Sequence, residues 1–187
     1  MRRKDREMDR SFGLTVIDRS RFGILAMVDR GRPYAIPLSL VREGDALYFH
    51  SAPEGRKTEV FQQNPEVSIA FVGEWRVPEL FTAAELEKVT DDEEKTALLL
   101  SKVFTVEFES VVATGRVRLV RDDEERIKAM RLICEKYTPT KMAYFTQAAQ
   151  AGLPRTHIYR IDMTDVKAKR KKYDRQGEEM KWGRLTD

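Results

Sequence analysis

One stretch of the sequence decides most of the fold: residues 47–65, which read LYFHSAPEGRKTEVFQQNP. The apolar run at residues 46–50 predicts a β-strand, the third in the chain. Gly55 then precedes a short predicted helix at residues 56–63, which Asn64-Pro65 ends. The segment therefore reads as a strand, a turn that contains glycine, and a helix.

The start of this predicted helix has the features of a phosphate site. Arg56 and Lys57 fall in its first turn, where the backbone presents free N–H groups and positive partial charge. Two cations there are unfavourable unless an anion lies among them, and Gly55 and Ser51 add small groups that suit a phosphate. The alternative is that both cationic side chains extend into solvent, and the local pattern leaves the two interpretations open.

Short runs of strand character surround the segment. They predict six strands, at residues 22–28, 33–41, 46–50, 67–73, 104–120 and 156–163. Close spacing and turns such as Glu43-Gly44-Asp45 favour an antiparallel barrel or sandwich over a doubly wound α/β sheet. Gly115 predicts a bend or bulge within the fifth strand. The predicted class is mainly β (α+β), with helices flanking the sheet and one domain over residues 1–187.

The second predicted strand has one face of small residues. Ala35, Pro37 and Ser39 share that face, while larger residues such as Tyr34 and Ile36 share the other. A flat aromatic group could lie close to the small face, and Pro37 removes one backbone donor, as at a sheet edge or a bulge. Packing against a bulky neighbour is the alternative. The residues alone thus suggest a flat, phosphorylated ligand without naming it.

Helices are predicted at residues 6–19, 122–137 and 142–150. The second carries an apolar stripe of Ile127, Met130, Cys134 and Tyr137, so that Cys134 is predicted to be a buried, inert thiol. His157 begins the last strand without a motif around it and is assigned to ordinary packing.

Two segments stand apart from the regular elements. Residues 75–102 form an acidic, helix-leaning excursion with a capping box at Thr90 and Glu93. A connection of this length is a candidate lid. Residues 168–187 read as a polar, loosely held tail, and the basic run at residues 167–172 as a solvent-facing stretch.

Composition excludes several functional classes. The 34 Lys and Arg residues barely exceed the 31 Asp and Glu residues, and no nucleic-acid-binding motif is present. No apolar run is long enough to span a membrane, and none follows the basic N-terminus as a secretory signal would. One cysteine and two histidines make neither a disulfide framework nor a metal set. We therefore expect a cytoplasmic protein with no metal site, no nucleic-acid partner and no membrane partner.

Taken together, these motifs resemble the pyridoxamine 5′-phosphate oxidase-like split-barrel superfamily, and within it the nitroimidazole-resistance (nitroimidazole reductase-like) branch. The resemblance lies in six motifs in the expected order, PYAIPLS at 33–39, LYFHSA at 47–52, EGRK at 54–57, NP at 64–65, FESVV at 108–112 and GR at 115–116. It covers residues 1–165 apart from the excursion.

The resemblance implies a homodimer of six-stranded antiparallel split β-barrels, with FMN at the subunit interface. The implied FMN-binding residues are Pro37, Leu38, Ser39, His50, Ser51, Arg56, Lys57 and Ser110. In this comparison Arg56 and Lys57 match the phosphate-binding pair, and Ser110 matches a segment that the other subunit lends. His50 matches an active-site histidine that could donate a proton or hold a substrate anion, although a simple hydrogen bond at a strand end is the alternative.

The function that the resemblance implies is an FMN-dependent oxidoreductase. It would take electrons from a reduced nicotinamide or another donor and reduce a small oxidised molecule, with a nitroimidazole-type nitro compound as the suggested substrate. The alternatives are a non-catalytic protein that binds FMN or heme, and a cofactor-free interaction protein. The sequence lacks the full substrate-recognition set of true pyridoxamine phosphate oxidases, because Trp182 and Arg184 have the wrong spacing. That particular activity is not predicted.

Overall fold

The computed structural model describes residues 2–87 and 99–186. Within them one antiparallel sheet has eight strands. They are β1 (Glu7–Met8), β2 (Gly23–Asp29), β3 (Arg32–Leu38), β4 (Val41–Glu43), β5 (Ala46–Ser51), β6 (Glu66–Arg76), β7 (Glu107–Leu119) and β8 (His157–Lys171). The order is β3-β2-β6-β7-β8-β5-β4, and β1 pairs with β8 beyond the end of β5. The path is open, so the sheet does not close on itself.

All six predicted strands are present, and the mainly β antiparallel class is confirmed. The two additional strands, β1 and β4, are two and three residues long. Residues 33–41 do not form one strand, because β3 ends at Leu38 and the chain turns before β4. The β2–β3 connection is a two-residue turn in which Arg30 and Gly31 have φ of 49° and 78°, the geometry that a tight hairpin requires.

Five α-helices occur in the described residues. They are α1 (Arg10–Arg19), α2 (Arg56–Gln63), α3 (Ala83–Glu87), α4 (Asp123–Tyr137) and α5 (Phe145–Gly152). The structure confirms the predicted bounds of α2. The first helix begins four residues later than predicted, because Glu7 and Met8 pair with β8 and Asp9 caps α1, its carboxylate accepting from the Phe12 N–H at 2.8 Å.

The predicted bulge at Gly115 is confirmed. The register of β7 against β8 shifts between Thr114 and Gly115. A Cβ on Gly115 would lie 2.4 Å from the carbonyl oxygen of Asp162, so only glycine allows this approach of the two strands. A second bulge lies between Val72 and Trp75 in β6, which continues past the predicted end of that strand to Arg76.

The core lies between the sheet and the helices α1 and α2. Its centre holds an aromatic cluster in which the ring centroids of Phe49, Phe61 and Tyr159 are 5.1–6.0 Å apart. On the other face of β5 a smaller cluster joins Tyr48 and Ile158 to α4. Helices therefore pack on both faces of β5. The helix α2 lies in the connection between β5 and β6.

The buried face of α4 differs from the predicted stripe. Ala129 and Ile133 are buried, whereas Cys134 is only partly buried and Ile127 is exposed. Ala129 has no side chain beyond Cβ, so the helix approaches the sheet closely along that line. The prediction of a buried Cys134 thiol was therefore wrong.

The segment after residue 168 is not a loose tail. β8 continues to Lys171, and an isolated bridge pairs Tyr173 with Glu179. Tyr173 and Met180 are buried, and Arg6 forms an ion pair with Glu179. Buried apolar groups and a strand partner therefore hold this segment in the fold, and the prediction of a loosely held tail was wrong. The prediction of a solvent-facing basic run was also wrong in part, since Arg170 and Lys171 are buried.

The excursion is described on both sides of residues 88–98. The predicted capping box at Thr90 and Glu93 lies outside the described residues. Within them a capping box forms at Thr82 and Glu85, where the Thr82 N–H donates to the Glu85 carboxylate at 2.7 Å. The chain then forms α3, and a π-helical turn at Leu99–Val103 leads back towards β7.

Candidate functional site

The start of α2 has a geometry that suits a phosphate. Gly55 precedes the helix with a φ of 126°, a conformation that residues with a Cβ rarely adopt, and a Cβ there would meet open space. No side chain caps this end of the helix within the described residues. The Thr58 N–H bonds to the Gly55 carbonyl at 3.0 Å, and the N–H groups before it remain available. The end of the helix is therefore a potential anion site.

The two predicted phosphate ligands have different surroundings. The Arg56 Nε–H donates to the Asp29 carboxylate at 2.7 Å, and its guanidinium lies 4.2 Å from the ring centroid of Tyr34. Arg56 thereby ties α2 to the β2–β3 hairpin while 54% of its side chain stays exposed. Lys57 is half-buried and makes no ion pair in the described part of the chain. Its charge is therefore available to an anion.

His50 and Ser51 lie on opposite faces of β5. Ser51 is buried on the side of Phe49, and its hydroxyl donates to the Ala52 carbonyl at 2.9 Å. His50 is exposed on the side of Tyr48. Desolvation by the surrounding chain, together with the charge of Lys57, lowers the pKa of His50. Both causes favour the neutral form of the imidazole, which can exchange hydrogen bonds.

His157 lies directly across from Ser51 in the β5–β8 pairing. Its Nδ1 is buried and has no hydrogen-bond partner among the described residues. An unsatisfied buried polar atom is rare and points to a missing partner. The assignment of His157 to ordinary packing overlooked this, because only the register of two strands distant in sequence reveals it. The unpaired Nδ1 of His157, across from the end of β5, can therefore form a hydrogen bond to a ligand.

The strand that was expected to pass a flavin ring is an edge strand. β3 is the last strand at one end of the sheet, so no strand of this chain lies on its outer side. The missing N–H of Pro37 therefore removes no hydrogen bond on that side. Ala35 and Pro37 are exposed, which confirms the predicted small face, and Leu38 and Ser39 are half-buried. Tyr34 faces the other way, under the Arg56 guanidinium. Part of β3 is thus directly linked to the start of α2.

We call the exposed side of β3, β2, β6 and β7 the open face. A row of apolar residues crosses it in register, namely Pro37, Ile24, Ala70 and Val112. Ile24 and Val112, on either side of Ala70, are 42% and 48% exposed, which is unusual for apolar residues on interior strands of a sheet. Next to the row, a groove of about 640 Å³ is lined by Phe22, Val72 and Trp75, among others. The row gives the open face a continuous apolar surface.

Ser110 lies on the open face, next to this row. It pairs with Val72 on one side and with Lys169 on the other. Pro37 and Val112 are three strands apart, or roughly 14 Å at the usual strand spacing. Within one chain, Arg56 and Lys57 lie in the first turn of α2 and Ser51 ends the preceding strand β5, while Pro37 and Ser110 lie on the open face. Among the described residues no cluster of three or more His, Cys, Asp or Glu side chains could hold a metal ion.

Comparison with known proteins agrees with this architecture. The sequence model of the pyridoxamine 5′-phosphate oxidase family matches residues 9–170. No curated protein matches the chain in sequence.

Solved structures show the same fold at low identity. A candidate 5-nitroimidazole antibiotic resistance protein from Bacteroides thetaiotaomicron is 22% identical, with a TM-score of 0.65 over 86% of this chain and 83% of that chain. An FAD-binding protein from Mesorhizobium loti is 20% identical, with a TM-score of 0.55 over 88% and 95% of the two chains. An FAD and heme binding protein from Mycobacterium smegmatis is 15% identical, with a TM-score of 0.66 over 89% and 73%.

Proposed function

Because the chain belongs to the pyridoxamine 5′-phosphate oxidase family, we propose that it is a flavoprotein that binds FMN. The observation that carries the proposal is the start of α2, where an uncapped helix end meets Gly55, Arg56 and Lys57. Backbone N–H groups and two cations at one point suit a terminal phosphate, which FMN has and FAD lacks. The similar proteins that bind FAD support a flavin as the ligand class.

The proposed assembly is a homodimer that meets through the open face. In a single chain this face exposes an apolar row, and a second copy would remove it from water. Pro37 and Ser110 both lie on this face, as a flavin shared between two subunits would require. Cofactor binding and dimerisation would then be thermodynamically linked.

The proposed reaction is the reduction of a small oxidised molecule with electrons from a reduced nicotinamide or another donor. Bound FMN would supply the electron-transfer chemistry. The protein's own residues bind and orient: Arg56 and Lys57 hold the phosphate, and the small face of β3 admits the ring. The neutral imidazole of His50 can hydrogen-bond to a substrate. A nitroimidazole-type nitro compound is the substrate we propose, in line with the similarity to the Bacteroides protein.

A second candidate function is the non-catalytic binding of FMN or heme. The Mycobacterium smegmatis protein of the same fold binds heme as well as FAD. His50 is exposed and its pKa is lowered, so the imidazole is in the neutral form that coordinates iron. A Soret band in place of flavin bands would favour this candidate.

The test is an absorption spectrum of the purified protein before and after addition of FMN, with the oligomeric state measured in parallel. We expect flavin absorption that travels with a dimer. The double variant Arg56→Ala and Lys57→Ala should bind FMN at least tenfold more weakly, because two charge-assisted contacts to the phosphate are lost.

The matched control removes two exposed cations elsewhere, Lys141→Ala with Arg155→Ala, and should bind FMN as the parent does. A protein that takes up no FMN would refute the cofactor assignment. Equal affinity in both double variants would instead refute the location of the phosphate. Oxidation of a reduced nicotinamide that depends on an added nitroimidazole would support the reaction.

A further inference from the structure

A second cavity, of about 630 Å³, lies where β6 ends and β7 begins. The excursion leaves the sheet and returns to it at this point, and the segment after β8 closes one side. Three aromatic side chains line the cavity, Trp75, Phe108 and Tyr173. Trp75 is 68% exposed, so its ring could pack against a bound molecule.

Each buried carboxylate that lines the cavity has an arginine partner. The pairs are Glu107 with Arg76, Glu109 with Arg19 at 2.9 Å, and Asp174 with Arg184. The Tyr173 N–H also donates to Glu107 at 2.7 Å. Each of these buried carboxylates therefore has a cation within ion-pair distance, and Arg19 also pairs with the exposed Glu74 at 3.2 Å.

Two buried cations of β8 line the cavity from opposite faces of the strand and hydrogen-bond only to neutral acceptors, while Glu109 and Glu107 attract Arg170 from a greater distance. Arg170 is 4% exposed and Lys171 is 8% exposed, and neither forms an ion pair with a carboxylate in the described residues. The Lys171 ammonium donates to the Thr105 hydroxyl. Arg170 donates from one terminal nitrogen to a carbonyl oxygen, its Nε–H has no acceptor among the described residues, and burial lowers the pKa of its guanidinium. Lys172 adds an exposed cation at the rim.

The buried Lys171 ammonium hydrogen-bonds only to a neutral hydroxyl, and a buried charge in that situation is costly, so this side of the cavity favours an anion. The neighbouring aromatic rings favour a flat, unsaturated body attached to that anion. We propose that this cavity binds a planar aromatic anion, with its anionic group towards Lys171 and its ring against Trp75 and Phe108, which lie on the same face as Lys171.

The proposal does not depend on FMN binding, since none of these residues belongs to the α2 site. The cavity shares Gly73, Glu74 and Trp75 with the groove on the open face. A molecule bound there would therefore lie beside the surface at which the second subunit is expected.

The experiment is a titration of the full chain with nicotinate, a small planar carboxylate, followed by calorimetry and by tryptophan fluorescence. The chain has two tryptophans, so the variant Trp182→Phe makes Trp75 the only reporter. We expect saturable binding and quenching. Nicotinamide, with the same ring and no charge, should bind at least tenfold more weakly. Inorganic phosphate, which has no ring, should also bind at least tenfold more weakly to the double variant Arg56→Ala and Lys57→Ala, in which the proposed phosphate site at α2 is removed.

Variants locate the site. Lys171→Met should weaken nicotinate binding at least tenfold, whereas Lys167→Met, an exposed lysine on the same strand, should leave it unchanged. If Lys171→Met fails to fold, the exposed Trp75→Ala serves in its place and should weaken binding several-fold by calorimetry.

The outcomes separate this site from the flavin proposal. The double variant Arg56→Ala and Lys57→Ala should bind nicotinate as the parent does, whether or not FMN binding is lost. Absence of saturable nicotinate binding, equal affinity for nicotinamide, or insensitivity to both Lys171→Met and Trp75→Ala would each overturn the proposal. In the double variant Arg56→Ala and Lys57→Ala, which lacks the proposed phosphate site at α2, phosphate binding as tight as that of nicotinate would overturn the role of the aromatic rings.

Discussion

Gly55 shows how one residue sets the geometry of a site. Its φ of 126° is strained for any residue with a Cβ, although the Cβ itself would have room. Gly55→Ala should therefore lower the free energy of unfolding by about 1–3 kcal/mol and weaken FMN binding. Gly152→Ala is the matched control, because Gly152 has helical φ and ψ and equal room, and it should be neutral or stabilising by up to about 1 kcal/mol. Urea unfolding of both variants checks this, and equal losses would contradict the role of the φ angle.

His50 should titrate below its ordinary pKa of 6.5, because desolvation and the charge of Lys57 both favour the neutral imidazole. In the folded protein His50 then binds fewer protons than in the unfolded chain. Its contribution to stability is present above pH 6.5 and is lost as the pH falls through that value towards the lower, folded pKa. NMR titration of the imidazole, assigned with His50→Asn, measures the pKa. Lys57→Gln should raise it, and a pKa above 6.5 in the parent protein would contradict the expected direction.

The individual site residues were predictable from the sequence to different degrees. Arg56 and Lys57 could be assigned to a helix start because the signals around them, a preceding glycine and a following Asn-Pro, are local. Strand alternation predicts that His50 and Ser51 lie on opposite faces of β5. Which helix packs against each face could not be predicted, because it depends on the positions of α4 and α2 in the fold. The unsatisfied Nδ1 of His157 was beyond prediction, since it depends on the pairing of β5 with β8.

At the scale of elements, local signals gave correct bounds and tertiary contacts caused the errors. α2 and the Gly115 bulge were predicted, because glycine and Asn-Pro act on their own backbone. The start of α1 was misplaced because β1 takes residues 7 and 8 into the sheet. β8 was predicted to end near residue 163, because the residues that follow are mostly charged, although the buried Val166 and Ala168 alternate there with lysines. It nevertheless stays paired with β7 up to Lys171.

The segment after β8 should contribute measurably to stability. Met180 is 2% exposed, so Met180→Ala should lower the free energy of unfolding by about 2–4 kcal/mol through the cavity that it leaves. Leu185 belongs to the same segment but is 58% exposed, and Leu185→Ala should change the free energy by less than about 0.5 kcal/mol. Thermal and urea unfolding distinguish the two. Two equally small effects would mean that this segment is not held in the folded protein.

At the scale of the whole molecule, the proposed dimer can be broken without damage to the core. Val112 lies in the apolar row of the open face and is 48% exposed, so Val112→Glu should fold normally. In a dimer the new charge would be buried, and we expect a monomer by sedimentation velocity with a loss of FMN binding. Ile127→Glu on α4 replaces an equally exposed residue elsewhere and should remain dimeric. A dimer that survives Val112→Glu would place the interface on another surface.

The open path of the sheet has a consequence for how copies of this chain meet. An unpaired strand at the end of a sheet offers N–H and C=O groups to any passing strand, which is the route to filaments and aggregates. β3 is such a strand, and its prolines at positions 33 and 37 leave gaps in the row of donors. Growth of the sheet from molecule to molecule is thereby discouraged at this edge. We therefore expect copies of the chain to meet through a face of the molecule, as in the proposed dimer, rather than through this edge.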